Sequence, residues 1–287
     1  QDVHSFPTRR SSDLMYKSLS KEKSIATIVL LIAILILPTT TRAQKMYDLW
    51  VASSQVSSDN CNDLSTIAEV SGIVNYNPET KTLTLQNATI NSGDKDAISS
   101  KIDGLIVKVI GTNNLVAAHT AIGLRTPLTI TGEGTLNVEG GDNCAIFAMG
   151  TDLTIDNCTV NAKSGKYGIT GNDGAMEHIT IRNANVTVEG SEIGSMLDIA
   201  SLTLEGCAIT QPSGAAYNPK MRCVTVGNSV VKSKIVIEKN TTAISIPTAN
   251  TNHSKEIYNI SGAKFNGELN NLPKGIYIIN GKKVVKL

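Results

Sequence analysis

The stretch Leu83–Ile90, LTLQNATI, decides the fold, because variants of it return along the chain. It reappears as LTIDNCTV at 153–160, as ITIRNANV at 179–186 and as LTLEGCAI at 202–209. Each copy alternates apolar and polar residues with a period of two, which is typical of a short strand with one buried face. Asn or Gly then turns the chain just before a small residue, Ala or Cys. We therefore expect one structural unit that is repeated many times.

The repeat is anchored by a triplet of an apolar residue, Thr and another apolar residue. Leu105–Val107 keeps the alternation but lacks the Thr. With it included, consecutive triplets are separated by 22, 23, 25, 26, 23 and 22 residues. The triplets with Thr are Leu83–Leu85, Leu128–Ile130, Leu153–Ile155, Ile179–Ile181, Leu202–Leu204 and Val224–Val226.

Further columns run in parallel with the triplets. One holds isoleucine at steps of 23 or 24 residues: Ile98, Ile122, Ile146, Ile169 and Ile193. Another holds small residues, five positions after the start of the triplet: Ala88, Cys158, Ala184 and Cys207. Asn precedes three of these as Asn87, Asn157 and Asn183, and we expect this Asn column to hydrogen-bond from rung to rung at a bend.

A repeat unit of 22 to 26 residues with three short strands is too small to bury its own apolar face. Stacking copies at a strand spacing of about 4.8 Å buries a continuous core. The sequence thus predicts an all-β fold, a parallel β-solenoid of six or seven rungs over residues 80–240. Residues 44–79 lack the triplet and are expected to form an N-terminal β cap, because solenoids need covered ends.

Residues 80–240 resemble the right-handed parallel β-helix, or pectin-lyase-like, superfamily. Tyr47–Val51 and Gly72–Leu83 are similar to segments of exported bacterial β-helices described as carbohydrate-binding or adhesin-like. The resemblance implies an exported protein with a polysaccharide or a cell-surface ligand. The fold itself hosts lyases, hydrolases, adhesins and inert spacers, so it does not assign a function.

Composition excludes several classes of protein. The net charge is +1, with 26 basic and 25 acidic residues, which argues against a nucleic-acid partner. With 41% hydrophobic residues, the chain is not an acidic disordered polymer. Aromatic residues make up only 4%, which counts against strong sugar stacking. We expect the single tryptophan, Trp50, to cover the first rung together with Tyr47; the alternative is a sugar-stacking platform.

The N-terminal region is expected to lie outside the folded protein. Residues 1–14 contain Ser5–Leu14, which resembles the translation of a sequencing adapter, so the natural start is predicted at Met15. Residues 15–43 resemble a signal peptide, with three lysines, an apolar run at Ile25–Leu37 and cleavage after Ala43. That run is shorter than the roughly 20 residues of a membrane-spanning helix.

The C-terminal residues 256–287 follow a polar linker at 241–255 and are expected to form a small β domain. Glu256–Lys264 and Leu272–Lys286 resemble the C-terminal sorting domain of type IX secretion in Bacteroidota-type bacteria, although the tail is short. The resemblance implies export, either to the medium or to the outer-membrane surface, with the type IX secretion machinery as a partner. It draws attention to Tyr258, Gly262, Gly275, Tyr277, Lys282 and Lys283. The alternative is a small β cap with no sorting role, and Asn280-Gly281 is predicted to form a tight hairpin turn.

No catalytic or metal-binding motif is recognisable in the sequence. His119 and His178 are the only histidines within the repeat region, and neither lies in a known motif. We therefore assign no catalytic residue, no metal and no cofactor. The most polar face comes from aligning the residues before the isoleucine column, and it gives these candidate ligand-binding residues: Asp94, Asp96, His119, Asp142, Lys166 and Tyr167. The alternative is a solvated turn edge.

Two further features have structural interpretations. The outward Thr column is read as an exposed strand face rather than an ice-binding array, because its neighbours include the charged Asp156, Arg182 and Glu205. The five cysteines are expected to be mostly unpaired, buried thiols, since Cys158 and Cys207 would lie about 9.6 Å apart, too far for a disulfide.

The sequence favours a secreted or surface-attached, non-catalytic β-helix that binds polysaccharide or acts as an adhesin, and we expect a monomer. One alternative is a diverged polysaccharide lyase or hydrolase, which needs clustered acids with Arg or Lys in a groove. Another is a purely structural surface protein, which needs a surface without grooves.

Overall fold

The computed structural model describes residues 43–240, 256–265, 268–279 and 282–286. The segment at 1–14 and nearly all of the expected signal peptide at 15–43 lie outside these residues, as does the expected linker at 241–255. A boundary between two compact units falls after Asn240. Within the described ranges, no helix is both long and apolar enough to cross a membrane.

The first unit consists of short strands and one 3-10 helix, Leu64–Thr66. Its described strands are β1 (Met46–Val51), β2 (Ser54–Ser57), β3 (Val70–Asn77), β4 (Thr82–Asn91), β5 (Ile98–Ser100), β6 (Leu105–Ile110), β7 (Thr112–Ala117), β8 (Ile122–Leu124), β9 (Leu128–Gly132), β10 (Thr135–Gly140), β11 (Cys144–Ala148), β12 (Leu153–Asp156), β13 (Thr159–Ser164), β14 (Tyr167–Gly171), β15 (His178–Arg182), β16 (Asn185–Gly190), β17 (Gly194–Leu197), β18 (Ser201–Glu205), β19 (Cys207–Gln211), β20 (Ala215–Asn218), β21 (Cys223–Val226), β22 (Ser229–Val230) and β23 (Ile235–Lys239).

Strands β4 to β18 coil into three parallel sheets, which confirms the predicted right-handed parallel β-helix. Sheet I contains β5, β8, β11, β14 and β17; sheet II contains β6, β9, β12, β15 and β18; sheet III contains β7, β10, β13 and β16. Strand β4 serves two sheets, because it pairs with β6 through Thr82–Gln86 and with β7 through Thr89–Asn91. The coil makes about 5 turns, fewer than the six or seven rungs expected.

The triplets explain the smaller number of turns. Those that begin at Leu128, Leu153, Ile179 and Leu202 lie in register in sheet II, as predicted. The last triplet, Val224–Val226, is not a rung, since it lies in β21, which pairs antiparallel with β17 and β20. The first triplet is shifted by two residues: Leu83 pairs with Val107 instead of Leu105, so Thr82 rather than Thr84 joins the outward Thr column.

The isoleucine column forms the inner wall of sheet I, with one correction. Ile98, Ile122, Ile146 and Ile169 pair in register and are fully buried. Met196 takes the fifth place instead of Ile193. This turn is three residues longer than the isoleucine spacing predicts. The buried Ser195 side chain holds the longer segment, because it accepts from Gly190 N at 3.2 Å and donates to Ser233 O at 2.6 Å.

The corner between sheets II and III requires a left-handed backbone. Asn87, Asn157 and Asn183 have φ of 47°, 53° and 45°, and Gly111 and Gly206 continue the column with φ of 66° and 64°. Asn and Gly tolerate this region better than other residues. The expected ladder of Asn87, Asn157 and Asn183 was wrong: among these three, only Asn87 makes a side-chain bond to a neighbouring turn in the described chain, accepting from Thr112 N at 3.1 Å.

An amide ladder does exist, but it runs along the outer face of sheet III. Asn137 donates to Asn114 at 2.9 Å, Asn161 donates to Asn137 at 2.8 Å, and Thr187 donates to Asn161 at 2.8 Å. These side chains link four consecutive turns through their own hydrogen bonds, in addition to the backbone pairing.

The interior is filled by the apolar residues of the three sheets, and all five cysteines are buried, free thiols. Cys158 and Cys207 are buried, as predicted, with 6% exposure each. Burial raises the pKa of the Cys144 and Cys158 thiols to about 11 and about 12, so these thiols stay neutral at pH 7 and behave as small apolar side chains.

The second unit contains the strands β24 (Ile257–Asn259), β25 (Lys264–Phe265), β26 (Gly275–Ile279) and β27 (Lys282–Lys286), and a 3-10 helix spans Leu269–Asn271. The four strands form a small antiparallel sheet in the order β25-β24-β26-β27. The predicted small C-terminal β domain is therefore confirmed. Asn280 and Gly281, the predicted hairpin turn, lie outside the described residues.

Candidate functional site

Four of the six candidate residues lie along one corner of the coil, which we call the polar corner: Asp94, His119, Asp142 and Lys166. Each lies in the segment that leads into a strand of sheet I, on successive turns. Backbone hydrogen bonds hold these segments to one another, for example from Asp142 N to Ala118 O at 3.0 Å. A Cβ on Gly141 would lie 2.0 Å from Ala118 O, so glycine permits this close stacking.

His119 and Asp142 are in direct contact, between His119 Nδ1 and Asp142 Oδ1. The hydrogen bond with Asp142, together with its charge, raises the pKa of His119, and the same hydrogen bond lowers the pKa of Asp142. The charge of Asp94 raises the pKa of His119, and the charge of Lys166 lowers it. Both side chains therefore lie close enough to His119 to interact with it electrostatically. The side chains of the pair are 53% and 65% exposed, so a ligand has access to both.

Asp96 lies apart from that pair, in a cleft of about 380 Å³. We call it the Trp50 cleft, and it is lined by Trp50, Ala52, Ser53, Asp94, Lys95, Asp96 and Ser99. Asp94 therefore belongs to both the polar corner and the cleft. A ligand in the cleft would meet the side of an indole, two carboxylates and two serine hydroxyls.

The position of Trp50 follows from antiparallel pairing of β1 with β5, which sets Trp50 opposite Ser99. Its neighbours Leu49 and Val51 are fully buried, whereas Trp50 is only half-buried, as the alternation of a strand requires. The Lys101 ammonium lies 5.5 Å from the centroid of the ring. Trp50 thus belongs to the capping region, as expected, and it also lines a cleft.

Asp96 is fixed across the next turn of the coil. A Cβ on Gly123 would lie 2.6 Å from Asp96 Oδ2, so this glycine leaves room for the carboxylate. Burial raises the pKa of Asp96, while the neighbouring Ser99 hydroxyl and the charge of Arg125 act in the opposite direction. A partly desolvated carboxylate is a strong acceptor for hydroxyl donors of a ligand.

Tyr167 is not brought into the cleft. It lies in β14, where it pairs with Cys144 and Gly194 and is half-buried. It stands three turns beyond Asp96, a distance of about 14 Å at the usual strand spacing.

Five cleft residues lie outside the set of candidates predicted from the sequence: Trp50, Ala52, Ser53, Lys95 and Ser99. Lys95 and Ser99 flank Asp96 in the sequence and could have been found by reading every residue before β5. Trp50 and Ser53 precede the repeat, so no column contains them.

The second histidine of the repeat region does not build a catalytic triad. His178 Nδ1 lies 2.8 Å from Ser201 Oγ, which brings a base close to a hydroxyl. The neighbouring Asp152 instead accepts from the backbone N of His178, at 3.2 Å. In the described residues, no carboxylate hydrogen-bonds the His178 ring, and a base in a triad needs such an orienting group. The described residues also contain no cluster of three or more His, Cys, Asp or Glu that could hold a metal ion.

The tail residues fall at defined places in the second unit. Tyr277 is buried, donates to Pro273 O at 2.7 Å and contacts Phe265 edge-on at 5.9 Å. Tyr258 donates to Glu256 at 2.9 Å, and Gly262 makes a turn with φ of 85°. Gly275 begins β26, while Lys282 and Lys283 are exposed at the start of β27.

Comparison of this chain with protein-family models, with curated proteins and with solved structures gave no match.

Proposed function

We propose that this protein is an exported, non-catalytic β-helix that binds polysaccharide along the polar corner and the Trp50 cleft. The observation that carries the proposal is their continuity: Asp94 lines the cleft and also acts electrostatically on His119, one turn further on. A polymer chain that follows the coil axis would meet carboxylate, imidazole and ammonium groups at successive turns. Polar groups beside one aromatic residue are typical of a surface that recognises sugar hydroxyls.

The test is electrophoresis of the purified full chain in native gels, each cast with a different polysaccharide. We expect retardation in at least one gel, with the polymer left intact. The double variant His119→Ala, Asp142→Asn should run faster in that gel than the parent chain. The matched control is Arg182→Ala, which removes an exposed ion pair with Glu205 (2.6 Å) on sheet II and should leave retardation unchanged.

Two outcomes would overturn the proposal in different directions. Cleared polymer around the protein band would establish a lyase or hydrolase, the alternative that Asp94, Asp96 and Lys95 in the cleft would fit. Normal migration in every gel would favour a structural surface protein or an adhesin for a protein ligand.

We also propose that the second unit directs export through the type IX secretion machinery. The support is the resemblance of residues 256–287 and a folded sheet that keeps Lys282 and Lys283 exposed. The test compares the full chain with a chain that ends at Asn240, in a bacterium with this secretion system. We expect the full chain at the cell surface or in the medium and the shorter one in the periplasm. Equal export of both would contradict a sorting role.

A further inference from the structure

We infer that the Trp50 cleft holds one neutral pyranose unit of the polysaccharide and selects against a uronic acid. This inference rests on the proposed function and specifies its ligand class. The volume of the Trp50 cleft, about 380 Å³, lies at the lower end of the range for small-ligand sites, so the cleft accommodates one sugar unit rather than an oligomer.

The indole of Trp50 supplies the apolar wall of the site. The β1–β5 pairing and the buried neighbours Leu49 and Val51 fix the strand that carries it, so the backbone of Trp50 is in place before a ligand arrives. The C–H groups of a pyranose pack on an indole through apolar contact.

Carboxylates outnumber cations in the polar wall of the cleft. Asp94 and Asp96 line the cleft, and Lys95 is the one cation among the lining residues. A uronate would bring a third carboxylate close to these two, which is unfavourable at short range. No Arg lines the cleft, although Arg is the residue that best forms paired hydrogen bonds to a carboxylate.

Asp96 is the acceptor that we expect to dominate. Its carboxylate is partly desolvated across Gly123, so it gains from hydroxyl donors that replace water. Ser53 and Ser99 can each donate or accept, which suits the hydroxyls of an uncharged sugar.

The experiment uses Trp50 as its own reporter, because it is the only tryptophan of the chain. The full chain is titrated with cellohexaose, xylohexaose and mannohexaose, and separately with hexagalacturonic acid, while tryptophan fluorescence is recorded. We expect a saturable change with at least one neutral hexamer and none with hexagalacturonic acid at the same concentrations. Asp96→Asn should weaken binding of that neutral hexamer by about tenfold or more, since a hydrogen bond to a charged group is lost. Lys108→Ala, an exposed change on sheet II, should bind as the parent does.

Each contrary outcome points to a different failure. Saturation by hexagalacturonic acid, or equal affinity of Asp96→Asn, would overturn the ligand class. Retardation in polysaccharide gels without any fluorescence change would overturn the site at Trp50 and leave the proposed function standing. Absence of both signals would overturn the proposed function itself.

Discussion

The two ends of the β-helix are covered in different ways. At the N-terminal end, β1 pairs with β5 over sheet I, and β3 pairs with both parts of β4, from Val70 opposite Ile90 to Asn77 opposite Thr82. At the C-terminal end, β21 meets β17 through one residue pair, Leu197 with Cys223, and β23 lies between β16 and β19. Within the described residues, β18 pairs only with β15.

The difference shows in burial. Leu49 and Leu64 of the N-terminal cap are fully buried, whereas Leu202 and Leu204 of β18 are only half-buried. The N-terminal cap also provides the aromatic wall of the cleft, so that end combines closure of the core with the candidate binding site. The repeat thus specifies the parallel turns, whereas the residues outside the repeat determine how each end of the β-helix is covered.

The largest effect should come from shortening one leucine side chain at each end of the β-helix. Leu49→Ala should lower the free energy of unfolding by about 2–5 kcal/mol, because it leaves a cavity under the first turn. Leu204→Ala should cost about 1 kcal/mol, since its side chain loses less buried surface. Urea unfolding followed by circular dichroism measures both, with the exposed Thr203→Ala as a control. Equal losses at Leu49 and Leu204 would show that both ends are equally closed.

A smaller effect concerns Glu177, which connects turns near the less covered end. Its buried carboxylate accepts from Asn172 N at 2.9 Å and from Gly150 N and Met176 N at 3.1 Å each. Burial by itself raises the pKa of Glu177, but these N–H donors outweigh it and the net pKa is lowered. Glu177→Gln should cost about 1–3 kcal/mol at pH 7.

The pH dependence of that cost has a definite sign. Because the folded pKa is lowered, the carboxylate stabilises the protein fully above the unfolded pKa of glutamate, and this contribution is lost as the pH falls through the folded value. The difference in free energy of unfolding between the parent and Glu177→Gln should therefore be smaller at pH 3 than at pH 7, as measured by urea unfolding. The exposed Glu139→Gln serves as the control. A gap of the same size at both pH values would exclude this role.

Substitutions in the asparagine ladder, between the two ends, should lower the free energy of unfolding by smaller and graded amounts. Asn137 makes two side-chain bonds of the ladder and Asn114 makes one. Each bond is worth about 0.5–1.5 kcal/mol, so Asn137→Ala should cost about twice as much as Asn114→Ala in urea unfolding. The same cost for both variants would mean that the ladder bonds do not stabilise the fold.

The smallest effect is expected at the polar corner, where solvent screens the charges. Asp142 raises the pKa of His119, so the pair stabilises the fold below the ordinary pKa of histidine and loses that contribution as the pH rises through the raised value. Asp142→Asn should lower the pKa of His119 in an NMR titration of its ring while leaving stability nearly unchanged. An unchanged pKa of His119 would contradict the contact between the two side chains.

The coil was predictable because its cause is local and repeated. Alternation of apolar residues in Leu153–Ile155 and its relatives specifies a strand, and the Asn or Gly that follows specifies the bend. Register was harder to predict, since corners tolerate extra residues: Met196 replaced Ile193 because three residues are taken up around Ser195.

The cleft was only half predictable. Asp94 and Asp96 follow from aligning the turns, because each lies in one of the aligned columns before the isoleucine column. Trp50 reaches them through pairing of β1 with β5, a long-range antiparallel contact that leaves no period in the sequence. A strand that stands outside the repeat has a partner that sequence alignment of the turns cannot reveal.

The parallel register of the turns makes the length of this protein adjustable. Strand β12 pairs residue for residue with β9 and β15, and β13 does the same with β10 and β16, so a second copy of the turn that begins at Leu153 would find matching neighbours on both sides. Such an insertion would lengthen the rod by about 4.8 Å and extend the asparagine ladder by one member. The Trp50 cleft and the C-terminal strands would each keep their present neighbours. The number of turns therefore sets the length of the β-helix, while the Trp50 cleft stays at its N-terminal end.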